Sequence, residues 1–161
     1  MNNSPVVSVN IPTYNSDKTL EETLISVTGQ TYKNIEVVVI DSFSKDRTLE
    51  IAKKYGAKIF NADSLALARK VGVENSTGKY IFLVDSDQSL DKDTVEKCVA
   101  TCEEKGFDVV TLFEKTKITK NTFAERVIAY DKWLFHSLHD DDPIHGTAIP
   151  RFFKAEYMKR I

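Results

Sequence analysis

The sequence is short of cysteine, of excess positive charge and of long apolar runs, and each shortage removes a class of protein. Its 161 residues hold two cysteines, Cys98 and Cys102, too few for a disulfide framework. Both lie in a stretch that reads as helix, where they fit best as small, reduced hydrophobes. The formal net charge of −2 and a pI near 5.9 give no electrostatic footprint for nucleic acid. No apolar run approaches the ~18 residues that cross a bilayer, and the first residues lack a signal-peptide pattern, so a cytoplasmic location is expected. Neither G-x-x-x-x-G-K-[ST] nor G-x-G-x-x-G occurs, which argues against P-loop and dinucleotide sites. Internal repeats and low-complexity segments are missing too.

What the chain does have is alternation, in a length suited to one domain with a real core. Val6–Ile11, Ile35–Ile40, Ala57–Phe60, Tyr80–Val84 and Phe107–Phe113 read as strands, most of them rich in β-branched residues. Pro12 cannot donate to a central ladder, so the first strand is expected to close there, with Asn15 or Ser16 capping the next helix. Helical patterns fill the gaps. One carries Leu20, Leu24 and Val27, and a second carries Leu49, Ile51, Ala52 and Tyr55. A third runs from Ser64 to about Asn75 with Leu65, Ala68 and Val71 or Gly72 inward. The last runs from Asp91 or Asp93 to Lys105, with Gly106 ending it. Strands alternating with helices predict a three-layer α/β/α fold on a mainly parallel sheet.

The pattern changes after residue 114. Phe123, Val127, Tyr130, Leu134 and Leu138 recur at helical spacing. That stripe is read as core, with contact to a membrane surface as the lesser alternative. Asp140-Asp141-Asp142-Pro143 breaks the helix, Ile144–Phe153 reads as strand or loop, and Ala155–Ile161 begins a helix. The chain stops there without a cap or a closing strand, as a domain cut short would.

The buried run Tyr80–Val84 ends in Asp85-Ser86-Asp87-Gln88. Ligands of open α/β sheets bind beyond the carboxyl ends of the strands, so the two carboxylates stand where a site is expected. Their spacing lets both reach one hard cation, Mg²⁺ or Mn²⁺, directly or through water. A polar turn capping the next helix is the plainer alternative.

Three strand ends converge in this reading: Pro12-Thr13-Tyr14-Asn15, Asp41-Ser42-Phe43-Ser44 and Asp85-Ser86-Asp87-Gln88. Here the chain resembles the family 2 glycosyltransferases, whose catalytic domain has the Rossmann-like GT-A fold. The resemblance rests on V-S-V-N-I-P-T-Y-N at 7–15, V-V-V-I-D-S-F-S-K-D-R-T at 37–48, A-R-K-V-G at 68–72 and T-G-K-Y-I-F-L-V-D-S-D at 77–87. A weaker echo runs from His145-Gly146-Thr147 to Arg151-Phe152-Phe153-Lys154.

The resemblance implies a nucleotide-sugar donor, a UDP- or GDP-sugar, and a metal-dependent transfer with inversion to an unknown acceptor. It places Pro12, Thr13, Tyr14 and Asn15 in the loop beside the base. Asp41 would stand at the nucleoside, and Arg69 near the diphosphate. Asp85 would lie near the ribose, Ser86 among the donor-binding residues, and Asp87, with Asp85, on the metal. His145 could join that metal, as a separate histidine does in some GT-A enzymes. Residues 1–113 would form the donor-binding part, and 114–161 the start of an acceptor part.

Two departures bear on function. Relatives often have a second aspartate where Ser42 stands, which leaves the choice of base open, and Lys70 replaces a common asparagine. The family's general base, in a Glu-Asp motif, is expected beyond Ile161. Asp140, Asp141 and Asp142 read as a solvated turn, and His136, His139 and His145 lack the ligand spacing of a structural zinc site. The competing function is a non-catalytic nucleotide-sugar binding module, or an inactive fragment that lacks the catalytic base.

Overall fold

The computed structural model describes residues 4–112, 114–115, 120–138 and 150–160, with backbone alone over 132–138. The elements in order are β1 (Val7–Thr13), α1 (Leu20–Thr28), β2 (Ile35–Asp41), α2 (Thr48–Lys54), β3 (Lys58–Asn61) and α3 (Leu65–Asn75). They continue with β4 (Tyr80–Leu83), α4 (Thr94–Lys105), β5 (Val109–Thr111), α5 (Phe123–Leu138), β6 (Pro150–Lys154) and α6 (Ala155–Met158). The chain divides into two compact units, residues 1–110 with 151–161, and residues 111–150.

The strand order is β3-β2-β1-β4-β6-β5. β1 pairs in parallel with β2 and β4, and β2 with β3, as the alternation predicts. β6 enters antiparallel beside β4, with Ile81 opposite Phe153 and Phe82 opposite Phe152. The predicted fifth strand shrinks to three residues and lies outside β6, not against the central strands.

β1 also runs past the expected close at Pro12, through Thr13. The register explains it. Asn10 O accepts from Val84 N on the β4 side, and Thr13 O accepts from Ser42 N on the β2 side. Bonding directions alternate along a strand, so Pro12 faces the β4 side, two residues beyond Asn10, the last residue of β1 paired with β4. Its missing N–H costs the ladder nothing.

The core forms on both faces of these strands. Val7, Val9, Ile11, Val38, Val39, Ile40, Tyr80, Ile81 and Phe82 are buried, and such side chains each contribute about 1.5–3 kcal/mol. Val38 and Ile40 pack with Ala62 and Ala68, and Ile81 packs with Val73 and Ala155. Gly72 sets how closely α3 approaches. A Cβ there would stand 2.8 Å from Ile40 Cδ1 and 2.9 Å from Asn10 Nδ2, so a larger residue would have to displace these side chains for the helix to lie this near the sheet. Leu65, expected inward, is exposed instead, because the buried stripe of α3 is Ala68, Gly72 and Val73. Cys98 and Cys102 are free and buried on α4, and burial pushes the Cys98 thiol up to about 12. Gly106, at φ 74°, ends that helix as predicted.

In the second unit α5 forms over the predicted residues, but Phe123, Val127, Ile128 and Tyr130 are exposed, so this part of the stripe is not core. Among the described residues, no helix is long and apolar enough to cross a membrane. Asp140, Asp141, Asp142, His139 and His145 lie outside the described residues, as does the side chain of His136.

Candidate active site

The carboxyl ends of β1, β2 and β4 bring three loops together, and Asp41 ties the first two. Its side chain is fully buried at the last residue of β2. Thr13 Oγ1 donates to Asp41 Oδ1 at 3.0 Å, Ser44 N to Oδ2 at 2.8 Å and Ser44 Oγ to Oδ1 at 2.5 Å. A buried carboxylate needs such donors. The loops are also pinned directly, by Asn15 N to Ser44 Oγ at 2.8 Å and Lys45 N to Asn15 Oδ1 at 2.9 Å.

This lattice holds two non-glycine residues in the left-handed region, Asn15 at φ 46° and Phe43 at φ 58°. Asparagine tolerates that conformation, whereas a bulky phenylalanine is strained there and persists only because its neighbours are fixed. Tyr14 and Phe43 consequently project into solvent, 66% and 56% exposed, as two rings on adjoining loops.

Asn15 or Ser16 is the cap expected from the sequence, but Thr19 stands at the N-cap position of α1. The Ser16 hydroxyl meets Ser86 Oγ at 2.9 Å, and its backbone N donates to Thr48 Oγ1 at 2.7 Å. Thr23 Oγ1 donates to the Ser86 carbonyl at 3.0 Å. The loop after β4 is thereby fastened to the loop after β1. Asp85 N donates to Gln88 Oε1 at 3.0 Å and Gln88 N to the Asp85 carbonyl at 3.1 Å, which closes the acidic turn on itself. Asp87 is exposed.

Two guanidinium groups face Asp85. Arg69 Nη2 stands 4.0 Å from Oδ1, and Arg151 Nη2 stands 2.9 Å from Oδ2. Arg69 comes from α3, where the close seating at Gly72 brings the helix onto the sheet. Arg151 comes from β6 and is 7% exposed, against 44% for Arg69. The two pairs differ in weight: the Arg69 contact is long and solvated, and the Arg151 contact is short and buried. Sequence reasoning missed Arg151. Its placement depends on β6 running antiparallel, which sets the beginning of that strand beside the end of β4.

Of the predicted site residues, Thr13, Asn15 and Asp41 are joined through Ser44, Ser86 meets Ser16, and Pro12 lies in β1 with Tyr14 just beyond its end. Asp85 and Arg69 are in contact, and Asp87 stands beside them in sequence. Among the described residues, no group of three or more His, Cys, Asp or Glu could hold a metal. Asp85 and Asp87 nonetheless fit a hard divalent cation whose remaining ligands come from a bound phosphate, since such ions take one or two carboxylates plus substrate oxygens.

Comparison with known proteins agrees with this geometry. The family model described as glycosyl transferase family 2 matches residues 8–155. The poly(ribitol-phosphate) β-N-acetylglucosaminyltransferase TarS of Staphylococcus aureus is 34% identical over 115 residues, 65% of this chain and 20% of its own length. The structure of TarS 1-349 in complex with UDP-GlcNAc matches with a TM-score of 0.65 at 31% identity, over 73% of this chain and 36% of that one. Glycosyltransferase AglE of Haloferax volcanii is 35% identical over 116 residues, 66% of this chain and 38% of AglE. The mannosyltransferase PcManGT of Pyrobaculum calidifontis, solved with GDP-Man and Mn²⁺, shares the fold at a TM-score of 0.73. That likeness covers 99% of this chain and 47% of the other at 22% identity. The chain spans less than half the length of these relatives. With the three loops, the acidic turn and the parallel sheet in place, the chain belongs to the family 2 glycosyltransferases and has their GT-A fold.

Proposed function

We propose that this chain binds a nucleoside-diphosphate sugar, a UDP- or GDP-sugar, as the donor-binding part of an inverting hexosyltransferase. The observation that carries the reading is the juxtaposition of Asp85 with Arg69 and Arg151 at the carboxyl edge of the sheet, where Asp87 follows in the same turn and the neighbouring strand-end loops expose two aromatic rings. Carboxylates beside guanidinium groups suit a diphosphate held together with a cation, and an exposed ring suits a planar base. TarS and PcManGT, solved with UDP-GlcNAc and with GDP-Man and Mn²⁺, support the same reading.

In this mechanism an acceptor hydroxyl attacks the anomeric carbon as the bond to the diphosphate oxygen breaks, and the configuration inverts. The acceptor's proton passes to a general base outside the donor loops. A divalent cation, Mn²⁺ or Mg²⁺, held by Asp87 and Asp85 would act as a Lewis acid on the departing diphosphate. Arg69 offers its guanidinium to the same phosphate oxygens, where a permanent charge and planar donors are effective. Tyr14 covers the base, while Asp41 keeps the first two loops in register. Binding energy held in rigid loops orients the sugar for in-line attack.

Calorimetric titration with UDP-, GDP- and CDP-sugars, in Mn²⁺ and again in EDTA, tests the reading. The expected result is metal-dependent binding of one donor. A folded protein that binds none of them in either condition contradicts it.

A further inference from the structure

The structure assigns Arg151 a role: it is a positioning residue that holds Asp85 and withholds the acidic turn from a divalent cation until a diphosphate is present. This inference rests on the proposed donor site and adds an order of assembly to it. Each oxygen of the Asp85 carboxylate faces a guanidinium, Oδ2 at 2.9 Å from Arg151 and Oδ1 at 4.0 Å from Arg69. Neither arginine can lose its charge at any ordinary pH. A cation approaching Asp85 therefore meets a carboxylate already facing two positive charges, and its remaining neighbour in the turn, Asp87, is exposed to water. No third His, Cys, Asp or Glu completes a metal cage among the described residues. Cations such as Mg²⁺ and Mn²⁺ leave their water shell reluctantly, so this turn alone is a poor trap.

A diphosphate changes that balance. Its negative charge offsets the guanidinium groups, and its oxygens supply the missing ligands, so cation and diphosphate favour each other's binding by the same factor. Arg151 is also built to stay where it is. The neighbouring Phe152 is buried, stacked 5.0 Å from the Tyr80 ring and edge-on 5.7 Å from Phe82. Beyond it, Lys154 N donates to the Asp108 carbonyl at 2.9 Å. Arg69, by contrast, is exposed on its helix. The buried arginine sets the carboxylate, and the exposed one is available to the donor.

The test is Mn²⁺ titration without nucleotide, read from the electron paramagnetic resonance signal of free Mn²⁺. It compares wild type with Arg151→Met, Arg151→Gln, Arg151→Lys, Asp85→Asn and the Asp85→Asn/Arg151→Gln double variant. The wild type is expected to bind Mn²⁺ weakly. Arg151→Met and Arg151→Gln should bind it about tenfold more tightly or better, because a positive charge a few ångströms from the site is gone. Arg151→Lys should remain near wild type, and the gain should vanish in the Asp85→Asn background. Arg151→Gln keeps a hydrogen-bond donor near Asp85 and guards against the chance that Arg151→Met does not fold. Unchanged or weaker Mn²⁺ affinity in either folded neutral variant overturns the proposal, as does a gain that survives Asp85→Asn. These titrations contain no nucleotide, so their outcome is separate from a failure of the donor reading, which would appear as absent sugar-nucleotide binding by wild type.

Discussion

Glu36 and Asp85 are carboxylates at opposite ends of the same sheet, and their surroundings divide the fold's structural work from its chemistry. At the amino end, Glu36 on β2 accepts from Ser8 Oγ, from Thr77 N at 2.5 Å, from Gly78 N at 3.2 Å and from Lys58 Nζ at 2.7 Å. Its side chain is 12% exposed. Burial alone would raise its pKa, but the bonds from Lys58, Ser8 and Thr77 outweigh burial and lower it to about 2. Neutral hydroxyl and amide donors plus one lysine bind this carboxylate into the turn before β4. At the carboxyl end Asp85 is 35% exposed and meets two arginines, one of them buried. The first carboxylate is saturated by the protein, and the second is balanced by charges that a ligand can take over. Saturation holds strands together, whereas an exchangeable balance allows binding.

That contrast can be broken in graded steps. Asp41→Ala should have the largest effect on stability, about 3 kcal/mol by chemical denaturation, because it orphans the buried donors of Thr13 and Ser44. Donor affinity should fall with it, since the same donors hold the β1 and β2 loops. Glu36→Gln should cost about 2 kcal/mol near neutral pH and leave donor affinity unchanged. Its pH dependence has a definite sign. The folded pKa of Glu36 lies below its ordinary 4.5, so the stabilisation is complete above about pH 4.5 and is lost as pH falls towards about 2. Melting curves of wild type and Glu36→Gln should therefore converge across that window. Tyr14→Ala should change stability little, since the ring is largely exposed, and should cost about 1 kcal/mol in donor affinity, roughly fivefold, by calorimetry.

Much of this was legible in the sequence, and the exceptions share a cause. Strands such as Ile35–Asp41 and Tyr80–Leu83 announce themselves by consecutive β-branched and aromatic residues, and Gly106 ends its helix by local conformation. The loops at 12–15, 41–44 and 85–88 follow once those strands are laid parallel. Local pattern does not reveal contacts made across the sheet. The Ser16 hydroxyl pairs with Ser86 rather than capping α1, and Arg151 reaches Asp85 only because β6 reverses direction. Pro12 misled for a related reason, since its tolerance depends on where the neighbouring strand stops. Leu65 and the start of α5 show that apolar spacing marks a helix without saying which side is covered.

The most direct test of the division between the two ends is a paired titration of Asp87→Ala and Glu36→Gln with the preferred sugar nucleotide in Mn²⁺, alongside their melting temperatures. Asp87→Ala should melt like wild type and lose metal-dependent donor binding by more than the about tenfold to hundredfold typical of outer-shell partners. Glu36→Gln should melt lower and bind like wild type. Donor binding that survives Asp87→Ala and fails in folded Glu36→Gln would contradict the account, because the chemistry would then sit at the wrong end of the sheet.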